Sequence, residues 1–172
     1  GAQNRNQTPS FCISVTGIDP NLDMRNNIMF IDQIASIGGA VKMFAFGTTS
    51  TTFNNLVSDY NTYFSSGPQD FGFRSGGLKI NGGTNYATLT DWKLANGADL
   101  HSLEVQPNFV STTDLHLVSG ANPTIDGGGI PIAGITTDFD CKLRNPLTPT
   151  MGATETESGV IGYSIAAGAG TN

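Results

Sequence analysis

Two stretches of the chain carry nearly the same pattern. Residues 22–30 read L-D-M-R-N-N-I-M-F and residues 56–64 read L-V-S-D-Y-N-T-Y-F. Leu22 and Leu56, Asn27 and Asn61, and Phe30 and Phe64 are each separated by the same 34 residues. In both copies a short strand runs into an Asn, turns, and resumes with an apolar pair, Met29-Phe30 or Tyr63-Phe64. A strand-plus-turn unit repeated at a few tens of residues cannot bury its apolar face alone and must stack on its neighbour, which is the logic of a solenoid. The echo constrains shape far more than it constrains activity.

Asn suits the corner of such a unit for two reasons. It tolerates the left-handed backbone region that sharp turns need, and its amide both donates and accepts. Stacked about 4.8 Å above its equivalent, it can hand a hydrogen bond along the stack. Asn27 and Asn61 are therefore expected to form a ladder. Two unrelated Asn turns, or an ordinary two-sheet sandwich, would account for the alternation and the turns but not for the echo.

Elsewhere the pattern is of short strands and many turns. Phe11, Ile13 and Val15 alternate with Cys12, Ser14 and Thr16, which predicts a half-buried strand over 11–16. Further strands are expected at 41–46, with Lys42 on its wet face, and at 78–80, 103–105, 108–110 and 115–118, with Phe71 and Phe73 in a Gly-rich stretch between. One helix is predicted at 89–96, with Thr88 as its N-cap, Asp91 completing an acidic capping box and Gly97 as the stop. Turn residues dominate from Gly120 onward. Residues 1–10 read as a lead-in, and the tail 158–172 as a candidate end-cap strand.

Composition narrows the partners. Only 13% of residues are charged while 22 are Gly, which fits an all-β chain rich in turns. A net charge of −6, a pI of about 4.5 and eight scattered Lys and Arg argue against nucleic acid and against anionic lipid. No apolar run is long enough for a membrane helix, so membrane insertion is not expected. Cys12 and Cys141 lack metal-knuckle spacing and are expected to be free, mostly buried thiols, with a single bridge as the alternative.

The second half adds N-Y-A-T-L-T-D-W-K-L-A-N at 85–96, Gly97-Ala98-Asp99, Ser102, Q-P-N-F-V at 106–110, D-L-H-L at 114–117, A-N-P-T-I-D-G-G at 121–128, T-T-D-F-D at 136–140, Arg144 and M-G-A-T-E at 151–155. In order and spacing this resembles the C-terminal end of secreted right-handed parallel β-helix repeat proteins, a pectate-lyase-like fold found in surface proteins of Bacteroidetes-type bacteria. The resemblance spans roughly 22–155 and is most specific over 85–155. It implies an all-β, right-handed parallel β-helix of few coils with one short helical insertion. It implies a single domain over 1–157, a secreted or cell-surface location, and a sorting domain following the helix in a longer chain. Where the family usually has Gly, this chain has Cys141, which would be strained if its φ is positive.

Two clusters are candidates for chemistry. Asp126, Asp138, Asp140 and Glu155 could hold Ca²⁺, which the resemblance to polysaccharide lyases suggests and which a hard cation's demand for oxygen permits. The plainer reading has these carboxylates bracing turns, with Arg144 paired to Asp138 or Asp140, and it is preferred because the resemblance makes this end of the chain structural. Arg25, Lys42 and Arg74, with Lys79, could line an outer face as the base and cation of a lyase acting beside a uronic carboxylate. A solvated face is preferred for them, with Arg25 paired to its stacked neighbour Asp59. His101 and His116 are too few and too separated for a metal or hydrolase triad, and His116 should point outward. Tyr60, Tyr63, Phe64, Phe71, Phe73 and Trp92 could stack on sugar but are expected in the core, Trp92 anchoring the helix.

The expected role is a non-catalytic terminal module of a secreted or surface bacterial protein that contacts a polysaccharide or surface glycan and needs no cofactor. The competing classes are a polysaccharide lyase or glycoside hydrolase of the same fold, and an adhesin or ice-binding face built on a Thr row such as 48–52. Open strand edges at the ends require capping by residues 1–10 and by the tail after Glu155, or else a homodimer through an open end.

Overall fold

A computed structural model of the protein describes residues 3–4, 9–19, 21–32, 34–35, 42–65, 72–79 and 81–156. The described residues form β1 (Gln3–Asn4), β2 (Ser10–Val15), β3 (Leu22–Arg25), β4 (Ile28–Ile31), β5 (Ile34–Ala35), β6 (Met43–Thr48), β7 (Leu56–Asp59), β8 (Thr62–Ser65), β9 (Phe73–Ser75), β10 (Thr84–Tyr86), α1 (Leu89–Asn96) and β11 (Leu103–Glu104). The architecture is all-β with one helix, and its sheets are parallel or mixed.

Up to β9, strands adjacent in sequence do not pair with each other. Strand β2 pairs in parallel with β6 and β6 with β9; β3 pairs with β7; β4 pairs with β8 and β8 with β11. Register follows the sequence echo: Leu22 faces Leu56, Arg25 faces Asp59 and Phe30 faces Phe64. Like residues therefore lie over like. Phe11 stacks on Phe44 at 5.0 Å between ring centroids and Phe30 on Phe64 at 5.6 Å. The approach is close enough that a Cβ on Gly47 would lie 2.2 Å from the Phe11 ring, so this position tolerates only glycine without movement of that ring. Strand β10 closes the β9 edge antiparallel.

The main core lies inside these sheets. Met24, Met29, Phe46, Tyr63, Phe73 and Trp92 are among its buried members. Strand β6 is buried at every position, flanked by β2 and β9 and packed against β4 and β8, and Lys42 lies just before it rather than on a wet face. The helix begins where Thr88 is extended (φ −122°, ψ 158°) and its Oγ1 accepts from Asp91 N at 3.1 Å. It ends at Gly97, left-handed with φ 70°, whose N–H donates to Lys93 O at 2.9 Å. Trp92 is fully buried, stacked on Phe73 at 5.2 Å, and pins the helix to the strands.

After β11 the chain changes character. Between residues 105 and 156 the strand pairing is confined to two isolated antiparallel bridges, Phe109–Leu117 and Thr137–Leu143. The strands expected at 108–110 and 115–118 shrink to the first of these, and residues 78–79 bend instead of extending. This region has a small core of Leu117, Ile125 and Met151, packed on Ile28, Tyr60 and Leu103 of the stacked strands.

Several local expectations are corrected. The left-handed residue at each corner is not the ladder Asn but the one before it, Asn26 (φ 57°) and Tyr60 (φ 55°). Asn27 and Asn61 are thereby left to point along the stack. Cys12 and Cys141 are both free and both exposed, since Cys12 takes the outward alternation of β2 and Cys141 lies on the turn after Asp138. Cys141 has φ 63°, the conformation in which a Cβ is strained. Phe71, the tail 158–172 and most of residues 1–8, to which capping was assigned, lie outside the described residues.

Candidate functional site

The Asn positions meet. Asn27 N donates to Asn61 Oδ1 at 2.9 Å, and Asn27 Nδ2 donates to the same oxygen at 3.0 Å. Asn61 Nδ2 in turn donates to Met24 O at 2.8 Å. On the next level the partner is not an Asn. Ser102 Oγ accepts from Asn61 N at 3.0 Å, 41 residues on, because α1 lengthens that passage. Asp99 lies beneath it, fully buried and left-handed at φ 59°. Its Oδ1 accepts from Ser58 Oγ (2.8 Å), Tyr63 OH (2.9 Å) and Ser102 Oγ (2.7 Å), and its Oδ2 from Trp92 Nε1 (3.1 Å) and Asn96 Nδ2 (3.3 Å). Burial and the Asp99 charge push the Tyr63 phenol well above its ordinary value, so it stays a donor. Asp99 stands outside the candidate clusters read from the sequence. Its signal was position: an Asp two residues past a helix-ending Gly, three before a Ser in ladder register.

The four candidate carboxylates do not converge. Asp138 Oδ1 accepts the N–H groups of Asp140 (2.9 Å) and Lys142 (2.8 Å), and its Oδ2 that of Glu155 (2.6 Å). Burial alone would raise its pKa. The three amide donors and the nearby Arg144 charge outweigh that, and the carboxyl lies below its ordinary value. Asp140 Oδ2 meets His116 Nε2 at 2.9 Å. Glu155 Oε2 accepts from Thr150 N at 3.1 Å, and Asp126 Oδ1 accepts from Thr150 Oγ1 at 3.2 Å. Among the described residues no group of three or more His, Cys, Asp or Glu is placed to hold a metal ion. The donor set thus does not fit Ca²⁺, which needs six or more oxygens facing one point. Arg144 pairs with Glu155 at 3.6 Å, not with Asp138 or Asp140 as expected, because both its Nη atoms are drawn to the carbonyls of Thr150 (3.0 Å) and Gly152 (2.7 Å).

The basic candidates are also committed to separate places. Arg25 forms a bidentate pair with Asp23 (2.7 and 2.6 Å), two residues back on the same strand face, whereas Asp59 is taken by His101 at 2.8 Å. Arg74 is buried, against the expectation of a solvated side chain. It is held by the carbonyls of Gly77, Lys79 and Gly82 and by the Asn85 side chain, and it organises the loop between β9 and β10. Lys42 is only half-exposed. No single outer face collects these cations.

Two exposed histidines sit on acids. The His101 ring stacks on Tyr60 at 4.6 Å. His116 bridges Asp114 and Asp140, and these carboxylates raise its pKa. Of the aromatic candidates, Tyr63, Phe73 and Trp92 are buried and Phe64 is half-buried against Phe30.

One concave feature of the described surface was not anticipated. A cleft of about 720 Å³ opens between the corner at Arg25–Asn26 and the segments around 130–136 and 143–149. Its walls are mostly Ile, Pro, Ala and Leu, with Arg25 and Arg144 as the charged side chains lining it. Sequence reasoning missed it because it joins residues more than a hundred positions apart, as in the Asn26–Ile130 pair.

No family model, no curated protein and no solved structure matches the chain. No helix among the described residues is long and apolar enough to cross a membrane.

Proposed function

We propose that the chain is a right-handed parallel β-helix of few coils and that it serves as a non-catalytic terminal module of a secreted or cell-surface bacterial protein, contacting a polysaccharide or surface glycan. The observation that carries the fold reading is the parallel register of three strand families, two at the spacing of the sequence echo and β2 on β6 one residue shorter (Ser10 facing Met43), with Asn27 handed onto Asn61. The non-catalytic reading is supported by how the candidate groups are spent. A lyase needs a base and a cation together at one uronic carboxylate. Here Arg74 is enclosed by its own loop, and Asp138 is capped by three amides.

A glycan array, run with and without Ca²⁺, tests the role. The expected result is binding to a subset of glycans, indifferent to chelator, with no ultraviolet-absorbing unsaturated product from uronate polymers. Appearance of that product would replace the module reading by the lyase. Binding to no glycan would remove carbohydrate as the partner.

A further inference from the structure

The apolar cleft carries a ligand chemistry of its own, independent of the β-helix reading. Its floor is fixed by the backbone. Asn26 Nδ2 donates to Ile130 O at 2.6 Å and Ile130 N donates back to Asn26 Oδ1 at 2.9 Å. Gly152 N donates to Asn26 O at 2.7 Å, and Gly129 N to Pro149 O at 2.8 Å. The approach is so tight that a Cβ on Gly129 would lie 2.8 Å from both Asn26 Oδ1 and the Pro149 carbonyl. Pro131, Pro146 and Pro149 stiffen the walls by fixing φ. Such a cavity is preformed, and its volume of about 720 Å³ is that of a small-molecule site.

Charge selects the ligand. Among the described residues no Asp or Glu lines the cleft, whereas Arg25 and Arg144 do. Arg144 is held by two carbonyls and offset by the buried Glu155. Arg25 is offset only by Asp23, whose side chain is 55% exposed. At the water edge such a pair is screened by solvent and salt. A carboxylate arriving from the apolar side can therefore compete with Asp23 for Arg25, in surroundings that strengthen the new pair. A free sugar would leave its hydroxyls against Ile and Pro, and a cation would find no carboxylate among the described lining residues.

We propose that this cleft binds a small organic anion with an apolar body, an aromatic or branched aliphatic monocarboxylate, whose carboxylate pairs with Arg25 while its body lies against Ile130, Ile132 and Leu143. The test is an amide NMR titration of the full chain with 2-naphthoate and, as the neutral counterpart, 2-naphthamide. Perturbations should be confined to residues 25–26, 130–136 and 143–152, and the acid should bind about tenfold tighter than the amide. Arg25→Gln should remove that preference and leave amide binding as it was. Ala133→Trp, on an exposed wall position, should block both ligands. Arg144 is not the residue to vary, because its two carbonyl bonds hold the fold. Equal affinity for acid and amide, perturbations elsewhere, or no binding at millimolar ligand would each overturn the proposal. Should Arg25→Gln not fold, the acid-over-amide ratio on the unaltered chain decides. A blank glycan array leaves this site untouched, and a blank titration leaves the glycan reading untouched.

Discussion

Strand β6 has its main chain satisfied by β2 on one side and β9 on the other, while the segment 105–156 has two isolated bridges and little else of that kind. The second region replaces ladder bonds with backbone turn bonds and with side chains that grip backbone. Asn122 Oδ1 accepts from Asn108 N while its Nδ2 donates to Asn108 O and Val118 O. Asp138 collects three amides, and Arg144 caps two carbonyls. Buried backbone groups must be paired in either case. The difference lies in how the cost of failure is distributed. A ladder spreads it over many equivalent bonds, whereas a brace concentrates it in one residue. The stacked region has concentrated points of its own: Arg74 grips three carbonyls between β9 and β10, and Asp99 gathers side-chain donors where α1 interrupts the regular spacing.

That contrast can be tested by removing braces. The largest effect is expected at Asp99→Ala, which strands the Trp92 indole and three hydroxyls inside the core and should cost about 4 kcal/mol in urea unfolding. A loss below about 1 kcal/mol would mean that the network is incidental. Next comes the ladder. Asn61 is fully buried and Asn27 half-buried, so Asn61→Ala should cost about 3 kcal/mol and Asn27→Ala about 1 kcal/mol. Equal losses would deny the ladder its direction.

Asp138→Ala should cost about 2 kcal/mol, and locally. Hydrogen exchange should show the amides of Asp140, Lys142 and Glu155 losing protection while those of β6 and β8 keep it; global loss would show that the two regions unfold as one. The pH dependence has a definite sign. The folded pKa of Asp138 is lowered, so its contribution is complete above the ordinary carboxylate value and disappears as pH falls through the lowered one. The parent chain should therefore open in this region as the pH falls, and the variant should lack that pH-dependent step. The smallest change is a gain. Cys141→Gly relieves a left-handed Cβ and should raise stability by about 1 kcal/mol, read as a higher unfolding temperature.

Much of the stacked region was legible in the chain because stacking repeats a local pattern. Leu22 over Leu56 and Phe30 over Phe64 follow from spacing alone, and the helix from Thr88 to Gly97 carries its own start and stop signals. What failed depended on a neighbour that the local pattern does not name. Arg74 reads as a surface cation until a Gly-rich loop closes over it. Arg25 faces Asp59 in register yet binds Asp23, because His101 arrives from another level to claim Asp59. The acidic residues at 126, 138, 140 and 155 look like a cluster in sequence, but each turns to a different donor.

The sequence by itself determined the period, the like-over-like register and the single helix, because each is written in residues close together or evenly repeated. Only the tertiary structure decided what sits on the third level of the ladder, which cations are buried, and that a rigid apolar cleft exists. The physical reason is that hydrogen-bond donors and acceptors are interchangeable at a distance: many partners could satisfy Asn61, Asp59 or Asn26, and only the arrival of distant chain segments selects Ser102, His101 and Ile130.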